Sequence, residues 1–266
     1  MAASPPVLFM ATQADVRSRS SSEIGLRCLS ALIFLVIWQA GAALVRSEHF
    51  PGPLLVAEAL YRDLTQGRLL LDLGITLGRV ASSFVLALAV GSLAGILMGR
   101  SRRINGLFDL WLVIGLNIPA VVIIFLCYIW IGLTETAAII AVALNKIPIS
   151  AVILRDGARA VDHDLLQVAE VLHLRWGRRL RRVYLPQLYP YFMTATRTGL
   201  SLIWKIVLVV EFLGRSNGVG FKLNEYFTFS DTTNMLAYTA SFLAVVLAIE
   251  GLAIRPLERR LAGWRQ

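Results

Sequence analysis

Lys205 and Glu211 are the first residues whose chemistry asks for an explanation, because both lie inside an apolar run, 191–213. An ionisable side chain in such a run is costly to bury and is a functional suspect by default. The two are six residues apart, so a helix places them on different faces and they do not pair directly. Lys205 sits deep in the run. Glu211 sits near its end, where it can tie down the glycine-rich stretch "GRSNGVG" that follows, serving either gating or folding.

The other charged concentration is "VAEVLHLRWGRRLRRVYLP", 168–186, with five arginines between apolar residues. Leu165, Val168, Ala169, Leu172 and Trp176 recur at three- and four-residue steps just before and within it. This spacing predicts an amphipathic helix, about 164–174, too short and too charged to span a membrane. Its apolar face can lie on anionic lipid, helped by Arg178, Arg179, Arg181 and Arg182, or enter a groove on a partner.

Enzymatic chemistry finds no support. A phosphate-binding loop needs glycine, four residues, then Gly-Lys-Ser/Thr. The nearest imitation, "GRSNGVGFK", puts Phe221 between Gly220 and Lys222 and has no hydroxyl residue after the lysine. Nucleophile elbows and His-Glu-x-x-His are missing, and His49, His163 and His173 are not at metal-ligand spacing. Cys28 and Cys127 are far apart within apolar runs and are expected as buried, reduced thiols. No nucleic acid is expected as a partner, since the arginines do not form one basic face with stacking aromatics.

The elements that must carry these residues belong to a membrane protein. The chain is 57% hydrophobic and only 16% charged, with a mean hydropathy of +0.68. A helix needs about 20 residues to cross the hydrocarbon layer, and six runs approach that length: 26–45, 80–98, 107–131, 137–154, 191–213 and 236–254. The fold expected is all-α and polytopic, with about six transmembrane helices. A mobile N-terminal tail, 1–25, a membrane domain, 26–254, and a C-terminal tail, 255–266, complete the expected organisation.

Arginine clusters precede the first run and follow the second, fourth and sixth, so the positive-inside rule puts both termini and the long insertion 155–186 in the cytoplasm. "HFPGPLL" breaks the chain after the first run, and 54–73 is expected as an external or interfacial helix. Ser83, Ala87, Gly91, Gly95 and Gly99 form a strip of small side chains, for packing within the chain or for a dimer or sliding interface. Pro119 and Pro148 are expected to bend their helices more readily than to break them, each with an asparagine shortly before to satisfy a freed carbonyl.

The cytoplasmic segment resembles the signature of permease subunits of bacterial ATP-binding-cassette importers: Glu-Ala-Ala, three residues, Gly, nine residues, Ile or Val, one residue, Leu-Pro. Anchored on Val183, Leu185 and Pro186, the pattern puts Gln167, Val168 and Ala169 in the Glu-Ala-Ala slots and His173 in the glycine slot. Glu170, one helical turn after Gln167, offers a carboxylate on nearly the same face. "FPGP", "GITLGRVASSFVLALAVGSLAGILMGRS", "IPAVVIIFLCYIWIGLTE", "WKIVLVVEFLGRSNGVGF" and "ERRLAGW" resemble the nitrate, sulfonate and taurine branch, over roughly 26–264.

This resemblance implies an inner-membrane permease subunit that forms the path for a small solute by alternating access. It implies a second permease copy, two cytoplasmic ATPase subunits that bind ATP and Mg in place of this chain, and an external solute-binding protein, all in membrane lipid. Gln167, Val168, Ala169, Glu170, His173, Leu185 and Pro186 would form the ATPase-coupling segment, and Lys205 and Glu211 the candidate path residues. In that branch Lys205 would attract an oxyanion such as nitrate or a sulfonate; a lysine that snorkels or meets a carbonyl is the plainer alternative. Histidine in the glycine slot implies a different turn or an altered ATPase contact. A self-sufficient secondary transporter is the alternative class, opposed by the missing inverted repeats and the scarcity of intramembrane carboxylates.

Overall fold

The computed structural model describes residues 13–47 and 49–254, and among these it is helical with no strand. The parts of the expected tails at 1–12 and 255–266 lie outside the described residues, as does the side chain of Cys28. The first helix, α1 (Gln13–Val45), already covers much of the segment expected as a tail. α2 (Pro53–Thr65) and α3 (Leu69–Arg100) follow, then α4 (Arg102–Asn117), α5 (Ala120–Ile131), α6 (Glu135–Arg159) and α7 (His163–Val171). α8 (Trp176–Arg179) runs through a π-helical stretch, Leu180–Tyr184, into α9 (Leu185–Gly214); α10 (Val219–Thr228) and α11 (Thr232–Ile249) follow, with a second π-helical stretch, Glu250–Ile254, ending the described residues.

All six apolar runs are helical, but they differ from simple spans. α3, α6 and the segment Thr232–Leu252 are each long and apolar enough to cross a membrane. α4 and α5 meet that standard only as a pair, bent by 101°. The chain therefore breaks at Pro119 where a bend was expected. Ile118 is extended (ψ 126°), the conformation forced on a residue before proline, and Pro119 becomes the N-cap of α5. Asn117 donates from Nδ2 to Val113 O at 2.7 Å, within α4, and not to the carbonyl of Gly115, four residues before Pro119, that the missing amide frees. Pro148 remains inside α6, buried, with its ring against Gly115 of α4.

The helix expected over 54–73 is shorter than that range. α2 stops at Thr65, and 69–73 belongs to α3, where Leu69 and Leu73 enter the core. α2 packs Val56 and Ala59 against Ala237 of α11. The continuous core joins α3, α5, α6, α9, α10 and α11 and includes Cys127, Trp204 and Tyr238.

The small-residue strip is used within the chain, between α3 and α6. A methyl group added at Gly91 would meet Ser150 Cβ and Ile147 O, at Gly95 the backbone of Ala151 and Arg155, and at Gly99 Ala158 Cβ and Arg155 O. Ser83 and Ala87 are fully buried on the same face. Contacts step four residues at a time on both helices, so the two run parallel with their backbones nearly touching. That register also sets Arg79 of α3 beside Glu135 of α6.

Candidate functional site

Two constellations stand at opposite ends of the parallel α3–α6 pair. One is a buried ionic brace at the end where α6 begins. The other is the arginine-rich segment after α6.

Arg79 organises the brace. Its Nη1 donates to Glu211 Oε1 at 2.7 Å and to Asn217 O at 2.9 Å; its Nε and Nη2 hold Glu135 at 2.6 and 2.9 Å; Nη2 also meets Asn217 Oδ1 at 2.5 Å. Arg215 adds a second guanidinium to Glu135 at 2.8 Å and reaches Leu133 O. Two arginines thus meet two glutamates, and the cluster is neutral overall. Arg79 and Glu211 are 3% and 0% exposed, so this half of the brace is out of solvent.

Glu211 also holds the start of α10. Gly220 N donates to Glu211 Oε2 at 2.8 Å, Val219 N to Thr76 Oγ1 at 2.9 Å, and Gly218 N to Asp72 Oδ1 at 3.2 Å; Thr76 Oγ1 in turn donates to Glu211 Oε2 at 2.9 Å. The first amides of a helix have no partner of their own, and a carboxylate there also favours the helix dipole. Gly218 makes the turn possible: its φ is +98°, and a Cβ would strike the Glu211 carboxylate. "GRSNGVG" is therefore tied by Glu211, as one of the two sequence readings held. Glu211 itself is wholly buried, committed to a guanidinium and to the start of α10.

Lys205 is placed differently. It is exposed on α9 beside buried Trp204. A buried cation that sequence reasoning passed over is Lys146, 1% exposed in α6, whose Nζ has no hydrogen-bond partner among the described residues. It fits because Gly199 of α9 lacks a side chain; a Cβ there would lie 2.9 Å from Lys146 Cε. The lysine in "NKIPIS" was the available signal.

The segment expected to contact an ATPase is a capped nine-residue helix, α7. Asp162 accepts from Asp164 N at 2.8 Å and Leu165 N at 3.4 Å, an N-cap that starts α7. Gln187 of α9 accepts from Asp162 N at 2.8 Å and so ties the start of α7 to α9. Gln167 and Glu170 are exposed, and Glu170 meets Arg179 at 3.3 Å. Ala169 is buried, but Leu165, Val168, Val171, Leu172 and Trp176 are all at least half exposed.

His173 occupies the glycine slot with a glycine's conformation, φ +48°. His173 N donates to Glu170 O at 2.9 Å and Leu174 N to Ala169 O at 3.1 Å, the paired closure of a Schellman C-cap. The expected different turn is thus corrected: the left-handed turn is kept, with a side chain on it. Leu185 and Pro186 continue the helix: α8, the π stretch and α9 are continuous, Leu185 is right-handed helical (φ −61°, ψ −39°), and Pro186 falls in the first turn of α9, where its missing amide costs least.

An all-helical membrane subunit with an exposed, capped connector between its spans has the form of a transport permease. Residues 87–258 match the family of binding-protein-dependent transport system inner membrane components. The chain belongs to that family and is a multi-pass inner-membrane permease. It is 30% identical over 235 residues to a putative aliphatic sulfonates transport permease protein, SsuC, of Bacillus subtilis, covering 88% of this chain and 85% of that one. It is 26% identical over 251 residues to the taurine transport system permease protein TauC of Escherichia coli, covering 92% and 91%. Its fold is similar to that of a chain in inward-facing structures of the MetNI methionine ABC transporter, with TM-score 0.62 and 17% identity over 73% of this chain and 95% of the other.

Proposed function

We propose that this chain is the path-forming subunit of an ATP-driven importer, and that α7 with the turn at His173 is where separate ATPase subunits dock. The observation that carries the reading is the apolar face of α7. Val168, Val171 and Leu172 are 54%, 76% and 65% exposed on a helix capped at both ends and tied to α9 through Gln187. A rigid, capped helix that leaves its apolar residues uncovered is a helix prepared for a groove on another protein.

The partners in this reading are a second permease copy, two cytoplasmic ATPase subunits that bind ATP and Mg, and an external solute-binding protein. Both termini and α7 face the cytoplasm, in keeping with the arginine distribution. Transport proceeds by alternating access, with movement of α7 passed into α9 and α6. The transport proteins named for sulfonates and taurine favour a small oxyanion as solute, and Lys205, exposed on α9, is the residue available to attract it.

Co-purification of the permease with a co-expressed ATPase subunit of a binding-protein-dependent importer tests the docking role. Replacing Gln167–Glu170 by a flexible linker is expected to abolish the complex and uptake together while the permease still inserts. An intact complex and normal uptake after that replacement would overturn the reading. Lys205→Gln is expected to raise the KM for uptake of an oxyanion; unchanged uptake at equal protein level would remove the lysine from the path.

A further inference from the structure

Beside α7 lies a cavity of about 780 Å³ that the docking role does not use. Arg100 at the end of α3, Arg102 at the start of α4, Arg159 at the end of α6 and Arg179 of α8 all line it, with no carboxylate among the lining residues. Arg179 has Glu170 outside the cavity as a partner at 3.3 Å, while Arg100, Arg102 and Arg159 are exposed and in no ion pair among the described residues. Four like charges around one hollow repel each other unless an anion enters.

Tyr184 supplies a second, independent observation. It lines the same cavity, is 7% exposed, and its hydroxyl is buried with no hydrogen-bond partner among the described residues. Such a group is uncommon in a folded interior and calls for a ligand or a solvent molecule. The Arg100 guanidinium stands over the Tyr184 ring at 5.4 Å, which seats that ring against the arginine cluster.

We propose that this cavity binds a phosphate-bearing anion, held by the guanidiniums of Arg100, Arg102, Arg159 and Arg179 with the Tyr184 hydroxyl donating to it. Guanidinium forks match the paired oxygens of a phosphate. The site lies where the arginine-rich ends of α3 and α6 leave the membrane, so an anionic phospholipid headgroup and a free phosphate are both of the right chemistry. Its placement on the cytoplasmic side rests on the orientation proposed above; the binding chemistry does not. A bound anion bridges the ends of α3, α4 and α6 to the segment leading into α9, and so restrains the α7 connector relative to the spans.

The test uses the full-length permease in phosphatidylcholine nanodiscs. One arm adds phosphatidylglycerol to the bilayer; the other titrates inorganic phosphate against chloride at matched ionic strength. The readouts are the thermal midpoint and, for lipid, retention measured by native mass spectrometry. A raised midpoint in the lipid arm alone supports a headgroup as ligand, in the phosphate arm alone a free anion, and in both the shared chemistry.

Arg100→Gln with Arg159→Gln is expected to weaken the response at least tenfold. Tyr184→Phe is expected to raise the ligand-free midpoint, by removing an unpartnered hydroxyl, yet to weaken binding severalfold, a combination that a packing role does not give. If the double variant fails to fold, Tyr184→Phe carries the test alone. Silence in both arms, wild-type binding by Tyr184→Phe, or an equal loss in Arg178→Gln with Arg181→Gln, which lie outside the cavity, would overturn the proposal. Neither uptake nor ATPase binding is measured, so the outcome is independent of the docking reading.

Discussion

Arg79→Met should be the most damaging single change at the buried brace, and its size follows from the burial of its partners. Arg79 and Glu211 are 3% and 0% exposed and meet at 2.7 Å, so removing the guanidinium leaves an uncompensated carboxylate in the protein interior. Breaking a buried pair in this way costs about 3–5 kcal/mol. The Glu135 half adds little: that carboxylate is 48% exposed and keeps Arg215 at 2.8 Å, which limits its share to about 0–1 kcal/mol. At about 2–4 °C per kcal/mol for a chain of this size, the midpoint should fall by roughly 10 °C. The assay is thermal unfolding of the purified permease followed by tryptophan fluorescence. The double variant Arg79→Met with Glu211→Leu should recover part of the loss, because the stranded charge is gone. Recovery stays incomplete: Gly220 N loses its acceptor, at about 1–3 kcal/mol for a buried orphan. A fall of less than about 2 °C for Arg79→Met, or a double variant no more stable than Arg79→Met alone, would refute the brace as a buried electrostatic unit.

His173→Gly should strengthen the α7 cap by about 1 kcal/mol, because φ +48° is strained for a side chain and free for glycine; slower amide exchange at Leu174 measures it. Gly95→Leu should force α3 and α6 apart, since the backbone of Ala151 and Arg155 occupies the space, and costs about 3 kcal/mol or more, to be seen as loss of the monodisperse peak on size exclusion. Lys146→Met should raise the thermal midpoint, because an unpartnered buried ammonium is exchanged for an apolar chain of similar length, whereas Lys205→Met at an exposed position should leave it unchanged.

Much of this protein is determined locally and was legible in its sequence. Hydropathy alone specifies the helical character of all six apolar runs, because a backbone in hydrocarbon must satisfy its amides internally. The four-residue spacing of Ser83, Ala87, Gly91, Gly95 and Gly99 specifies a face for close approach, and the apolar steps from Leu165 specify the amphipathic α7, while its Asp162 cap emerged only in the structure. Even the left-handed turn at His173 could be located, though not its conformation, since nothing local decides whether a histidine will accept a glycine's φ.

Only the tertiary structure decided who meets whom. Arg79 and Glu211 are 132 residues apart, and nothing within either segment announces the other. They meet because the glycine strip sets the α3–α6 register and the Gly218 turn folds α10 back onto Glu211. The break at Pro119 was equally a tertiary choice, since a proline permits a bend or a break and the surrounding packing selects one. The same holds for the two span lysines: Lys205 and Lys146 look alike in sequence, and only packing exposes the first and enfolds the second against Gly199. Local chemistry fixes what each segment is, while long-range packing fixes which charges are buried together and which remain open to a partner.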